Sequence, residues 1–228
     1  MDEKILRGEK FVWQLSQPPG GPMRGSEGES ACCIMNPMKD VLDKVKRDPR
    51  YLRNIEFGEP RSGHPEGMVK FHIRDLENNL ELLWRQGRVR DRNAYWKLKF
   101  LIHVHDALKA EAKAYTSPHH PKNHAYIARQ YASQFTDDED LLNMIQFHDE
   151  NYKLWRDYTQ TGRYDGKRFR RLLTTIQDWD LFLIFLIIDG CTAGKEYAKL
   201  SWFIGEVKKH KATRVEASWV LPQADGAR

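Results

Sequence analysis

The chain has 228 residues, of which 40% are hydrophobic, 30% charged and 11% aromatic, and its formal net charge is +5. This is enough length and apolar content for one compact body with a full core, and it excludes a chain too polar to collapse. The modest positive charge favours an anionic small-molecule substrate and does not point to nucleic acid.

In chain order, Lys10 to Leu15 (KFVWQL) reads as a short strand or docking segment. Residues 15–38 carry Pro18, Pro19, Gly20, Gly21, Pro22, Gly25 and Gly28, the composition of a linker or mobile arm. Pro37 to Lys46 reads as one short helix. Residues 54–67 hold Gly58, Pro60, Gly63, Pro65 and Gly67, a loop leading into the first long helix. Apolar periodicity predicts helices over 68–88, 94–114, 122–135, 138–158, 165–177 and 178–208, with a loop around Pro118 and Pro121. The tail after Val215 has weak periodicity and is expected to fray. The expected organisation is an N-terminal arm over 1–50, partly flexible, a helical body over 51–210 and a C-terminal tail over 211–228. The longest apolar run, Leu181 to Ile188, falls far short of the about 20 residues that span a bilayer. Nothing near Met1 resembles a signal peptide, because charges interrupt the segment from Asp2 onward. Three cysteines, Cys32, Cys33 and Cys191, are too few for a disulfide framework and fit a reducing compartment. The expectation is a cytoplasmic protein without a membrane partner, with homo-oligomerisation left open.

Five predicted helices each aim a ligand-type side chain at an apolar face. In KLKFLIHVHDALKAEAK, Leu98, Leu101, Ile102, His105, Leu108 and Ala112 share helical spacing, so His105 stands at a core position with Asp106 beside it. His72 edges the stripe of Val69, Ile73, Leu76, Leu80 and Leu83. His124 leads Ile127, Ala128, Tyr131 and Phe135. His148 shares a face with Leu141, Ile145, Tyr152 and Trp155, and Asp189 ends an oily run. Taken singly, each histidine reads more readily as a core residue bonded to a backbone carbonyl than as a ligand. Asp189 taken singly reads as a helix-end residue paired with Lys or Arg. Taken together, four imidazoles and two carboxylates indoors without a cation lose about 1 to 3 kcal/mol for each unpaired group, and a metal ion removes that cost. Facing helices of a bundle are where such centres are built.

The order His72, His105-Asp106, His124, His148, Asp189 resembles the HD-domain superfamily of metal-dependent phosphohydrolases. HDALK (His105 to Lys109) is similar to the family's HD-x-x-K segment. GHPEGMVKFH (Gly63 to His72) is similar to the lead-in of HD domains attached to nucleotidyltransferases. The resemblance spans about residues 50–205 and lacks the Gly-Tyr-Pro string of the cyclic-dinucleotide branch. It implies an all-α HD-domain bundle behind a flexible arm. It also implies a pair of divalent ions (Fe, Mn, Co, Ni or Zn, with Mg possible) held by His72, His105, Asp106, His124, His148 and Asp189. Asp106 would bridge the two ions, which would activate a water against a phosphate ester of a nucleotide or related small molecule. Lys109, four residues after His105, would steady a phosphate oxygen, although it also reads as an ordinary solvated lysine. His119 and Arg168, the latter in the basic cluster Lys167 to Arg171, are further substrate-binding candidates or plain surface residues. Some HD-fold proteins with the same six ligands are mixed-valent diiron oxygenases, and others are non-catalytic ligand-binding modules.

Overall fold

The computed structural model describes residues 36–61, 64–112 and 117–221, and all of them belong to the compact unit that begins at Met35. The fold is all-α, with no strand among the described residues. The helices are α1 (Pro37–Val45), α2 (Pro49–Asn54), α3 (Val69–Arg85), α4 (Arg92–Val104) and α5 (His124–Ala132). They continue as α6 (Glu139–Phe147), α7 (Glu150–Thr161), α8 (Gly166–Thr175), α9 (Trp179–Gly190) and α10 (Ala198–Lys208). The expected strand at 10–15 and nearly all of the expected linker lie outside the described residues.

The core is organised around α9. Nine of its twelve residues are large and apolar (WDLFLIFLIIDG), so it has no polar stripe to face water. It packs against α3, α4 and α10, while α4 also packs on α1, α3 and α6. Phe182, Leu183, Phe185, Ile187 and Ile188 are completely enclosed. At the far end, Gly190 lets Leu200 approach so closely that a Cβ there would stand 2.8 Å from Leu200 Cδ1. Caps fix the helix starts. Asp91 accepts from Ala94 N at 2.7 Å, Asn123 from Ala125 N at 2.9 Å and Asp178 from Leu181 N at 3.0 Å. Each such cap is worth about 1 kcal/mol.

The structure departs from the periodicity in three places, all of them at a ligand candidate. The helix expected over 94–114 ends at Val104; His105 is its C-cap, and a short 3-10 turn, Lys109–Glu111, follows. The helix expected over 138–158 is two helices, α6 and α7, parted at His148-Asp149. The helix expected over 178–208 is α9 and α10, parted just beyond Asp189. None of these breaks carries a proline; the first two also lack glycine and fall at inward-facing His-Asp steps, whereas the third holds Gly190 and Gly194, the latter at φ +78. Two boundaries also differ. The helical body already includes α1, whose Leu42 and Val45 are buried, inside the stretch assigned to the arm. The tail is docked as far as Leu221: Val215 and Leu221 are buried, and the Arg88 and Arg214 guanidiniums lie 5.5 and 5.7 Å from the centre of the Trp219 ring.

Candidate metal centre

Three helices end at one place. The C-terminal turns of α4, α6 and α9 deliver His105-Asp106, His148-Asp149 and Asp189, while α3 supplies His72 from its first turn and α5 begins at His124. The three C-termini bring the negative end of the backbone dipole, and the first turns of α3 and α5 bring the positive end, so the side chains decide the sign of the site.

The two His-Asp steps use the same local device. At the end of α4, the His105 Nδ1–H donates to the carbonyls of Leu101 (3.1 Å) and Ile102 (3.2 Å). At the end of α6, the His148 Nδ1–H donates to the Ile145 carbonyl at 2.8 Å. Each ring thereby satisfies a free carbonyl of its own last turn, and Nε2 is left bare and pointing forward. The Phe185 ring sits edge-on against the His105 imidazole, with centroids 5.2 Å apart, and fixes it from behind.

The forward-facing atoms form two groups that share Asp106. On one side, His72 Nε2 lies 3.1 Å from Asp189 Oδ1, and His105 Nε2 lies 3.7 Å from that oxygen and 3.4 Å from Asp106 Oδ2. On the other, His124 Nε2 and His148 Nε2 lie 3.5 and 3.6 Å from Asp106 Oδ1 and 3.3 Å from each other. The sets His72–His105–Asp106 and Asp106–His124–His148 each bring three ligand atoms within 4.8 Å of one another. All six side chains expected as ligands therefore meet, and the two oxygens of Asp106 face different histidines.

Protein partners alone do not satisfy this arrangement. His105 Nε2 and Asp106 Oδ1 are buried with no hydrogen-bond partner among the described residues. Each orphan of this kind costs about 1 to 3 kcal/mol. His72 turns its other nitrogen, Nδ1, to Glu66 Oε1 at 2.9 Å. The carboxylates also call for positive charge. Burial works to raise the Asp106 carboxyl, yet the Lys109 and His105 charges beside it hold it well below the usual range. Burial likewise opposes ionisation of Asp189, and Lys195 together with the two histidines overcomes it. Burial works to lower His72 and His105, yet the surrounding carboxylates raise both above an ordinary histidine. Divalent cations would meet the same demand, and nitrogen with carboxylate donors suits Zn, Fe, Mn, Co or Ni. The residues fit a metal centre.

Four contributors were not assigned from sequence. Glu66, from the HPEG string, touches both His72 Nδ1 and His64 Nδ1, the latter at 3.0 Å. A carboxylate behind a ligand histidine orients the ring and raises its basicity. Glu66 is placed by a tight loop. Gly67 has φ +76, and a Cβ on it would meet Pro60 Cδ at 2.8 Å. Asp149 lies 3.3 Å from His124 Nε2, and Lys195 Nζ lies 2.9 Å from Asp189 Oδ1. His64 reaches the cavity over the cluster. Asp149 left a sequence signal in repeating the His-Asp step of α4, and His64 and Glu66 lie in the GHPEG string already singled out, although neither was given a role there.

That cavity has a volume of about 410 Å³, and Lys109, Lys195 and Lys199 line it with Asp106, His148, Asp149, Asp189 and Tyr152. Lys109 is thus at the site as expected, ion-paired with Asp106. His119 and Arg168 are not brought there. They line a separate cavity on α8, where Arg168 Nη2 donates to Glu150 Oε1 at 3.0 Å. His103, two residues before His105, faces away from the cluster: its Nδ1 is 2.5 Å from the Tyr51 hydroxyl and its Nε2 is 3.2 Å from Glu77. It is a structural histidine tying α2 and α3 to α4. Among the described residues no helix is long and apolar enough to cross a membrane. Comparison of the whole chain with protein-family models, with curated proteins and with solved structures finds no match.

Proposed function

We propose that this chain is a metal-dependent phosphohydrolase of the HD-domain type, acting on a phosphate ester of a nucleotide or a related small molecule. The observation that carries this reading is Asp106, whose Oδ2 faces His105 while its Oδ1 faces His124 and His148. A carboxylate so divided is the natural bridge between two cations. Two bound divalent ions would supply a hydroxide at neutral pH and neutralise the charge that develops on a phosphoryl group. His72, His105 and Asp189 would hold one ion, His124 and His148 the other, and Asp106 both, with Asp149 as a further donor beside the second. The protein's own contribution is orientation. The Leu101, Ile102 and Ile145 carbonyls lock two imidazoles in the tautomer that binds through Nε2. Lys109, Lys195 and Lys199 all line the cavity, which suits an anionic substrate.

The test is a phosphate-release screen over nucleotides and sugar phosphates, using full-length protein loaded with Mn or Fe, in air and under nitrogen. The expected result is release from at least one ester at the same rate in both atmospheres. Oxygen consumption coupled to turnover would move the centre to the oxygenase class. Complete inertness of metal-loaded protein would leave only a ligand-binding module.

A further inference from the structure

The α6–α7 joint has two sides. His148 and Asp149 line the cavity over the metal centre, whereas their neighbours Phe147 and Glu150 line a second cavity of about 440 Å³ together with His119, Lys167, Arg168 and Arg171. This volume falls in the range of small-molecule sites, about 300 to 1,000 Å³. The two linings have no residue in common.

Its charge is not balanced by the wall. Glu150 is nearly fully buried and is engaged by Arg168 and by Lys153 at 3.2 Å. The Asp165 carboxylate accepts from the backbone N–H groups of Lys167 (2.9 Å) and Arg168 (3.1 Å), capping α8. Both acids stay anionic, so the lining sets the three cations Lys167, Arg168 and Arg171 against two carboxylates and keeps a positive excess. Lys167 and Arg171 lie one turn apart on α8, exposed, and neither has an ion-pair partner among the described residues. Arg171 is oriented by His119: its Nη1 sits 3.4 Å from His119 Nε2, and the His119 ring stands edge-on against Phe147 at 5.6 Å. The result is a guanidinium held in place, a free ammonium beside it and an apolar floor of Phe147 and Leu172. A planar fork with an adjacent point charge is the donor set that takes a phosphate oxygen pair.

We propose that this cavity binds the phosphate group of a small molecule, at a site separate from the metal centre and independent of the hydrolase reading. The test is calorimetric titration of the full chain with inorganic phosphate, against sodium chloride of equal ionic strength. It uses the wild type, the wild type stripped with chelator, and the double variant Lys167→Ala, Arg171→Ala. Both replaced side chains are exposed, so the variant is expected to keep the wild-type circular dichroism and melting temperature. Binding should survive metal removal within about twofold and weaken at least tenfold in the double variant. Unchanged affinity in the double variant would overturn the proposal, as would loss of all binding on metal removal or no binding by the wild type.

Discussion

Asp106→Ala is expected to strip metal from both halves of the centre at once. Its two carboxylate oxygens are split between His105 and the pair His124 and His148, and among the described residues Asp106 belongs to both ligand sets. A single-ligand change such as His124→Ala removes a donor from one group only and should leave one ion in place. Outer-shell partners of metal ligands already cost about 10- to 100-fold in affinity or activity when removed, so loss of a shared ligand should exceed that range. The measurement is metal content by mass spectrometry of protein purified without chelator, alongside turnover on whichever ester the screen identifies. Asp106→Ala protein that keeps two ions per chain would show that the carboxylate is not shared. Removal also exposes a cost in the metal-free protein. Lys109 loses its buried partner, and burial then acts on it unopposed by the nearest anion.

Phe185→Ala is expected to be the most damaging core substitution that also reaches the site. The side chain is fully enclosed in α9 and rests edge-on against the His105 imidazole. Truncating a buried phenylalanine costs about 3 to 5 kcal/mol, and in a body of this size that lowers the melting temperature on the order of 10 °C. The same cavity frees the His105 ring, so metal affinity should fall along with stability. Phe185→Leu restores most of the volume and should recover most of the melting temperature. Thermal denaturation of both variants, with and without added Mn, reads the two effects separately. A Phe185→Ala protein that melts within about 2 °C of wild type would show that this part of the core can collapse around the gap.

How far the chain was legible depends on what kind of signal each residue carried. His72, His124 and Asp189 lie at the edges of clean apolar stripes, so a local pattern exposed them, and the structure brings them together with His105 and His148. The ends of α4 and α6 were not legible, whereas Gly190 and Gly194 mark the end of α9 in the sequence. HVHDALKAEAK contains no Gly or Pro, and its residues favour a continuing helix. The chain turns after Val104 because Asp106 must face histidines from α5 and α6, a tertiary demand that propensity cannot report. The break at His148-Asp149 has the same origin. Glu66 was hidden for a different reason. It sits in a loop whose conformation depends on Gly58 and Gly67 at positive φ packing against each other, a contact between positions nine residues apart. Arg168 stood in a basic cluster that read either as a phosphate guide or as a solvated helix face, and its guanidinium is engaged by Glu150 in a cavity apart from the metal centre.

Native mass spectrometry of the full chain, reconstituted with Mn, Fe or Zn and desalted, tests the bridging arrangement most directly. Two divalent ions per polypeptide are expected, both removed by chelator and both absent after Asp106→Ala. A chain that takes up no ion from any of the three metals would contradict the account, for the buried nitrogens and oxygens at its centre would then be content without one.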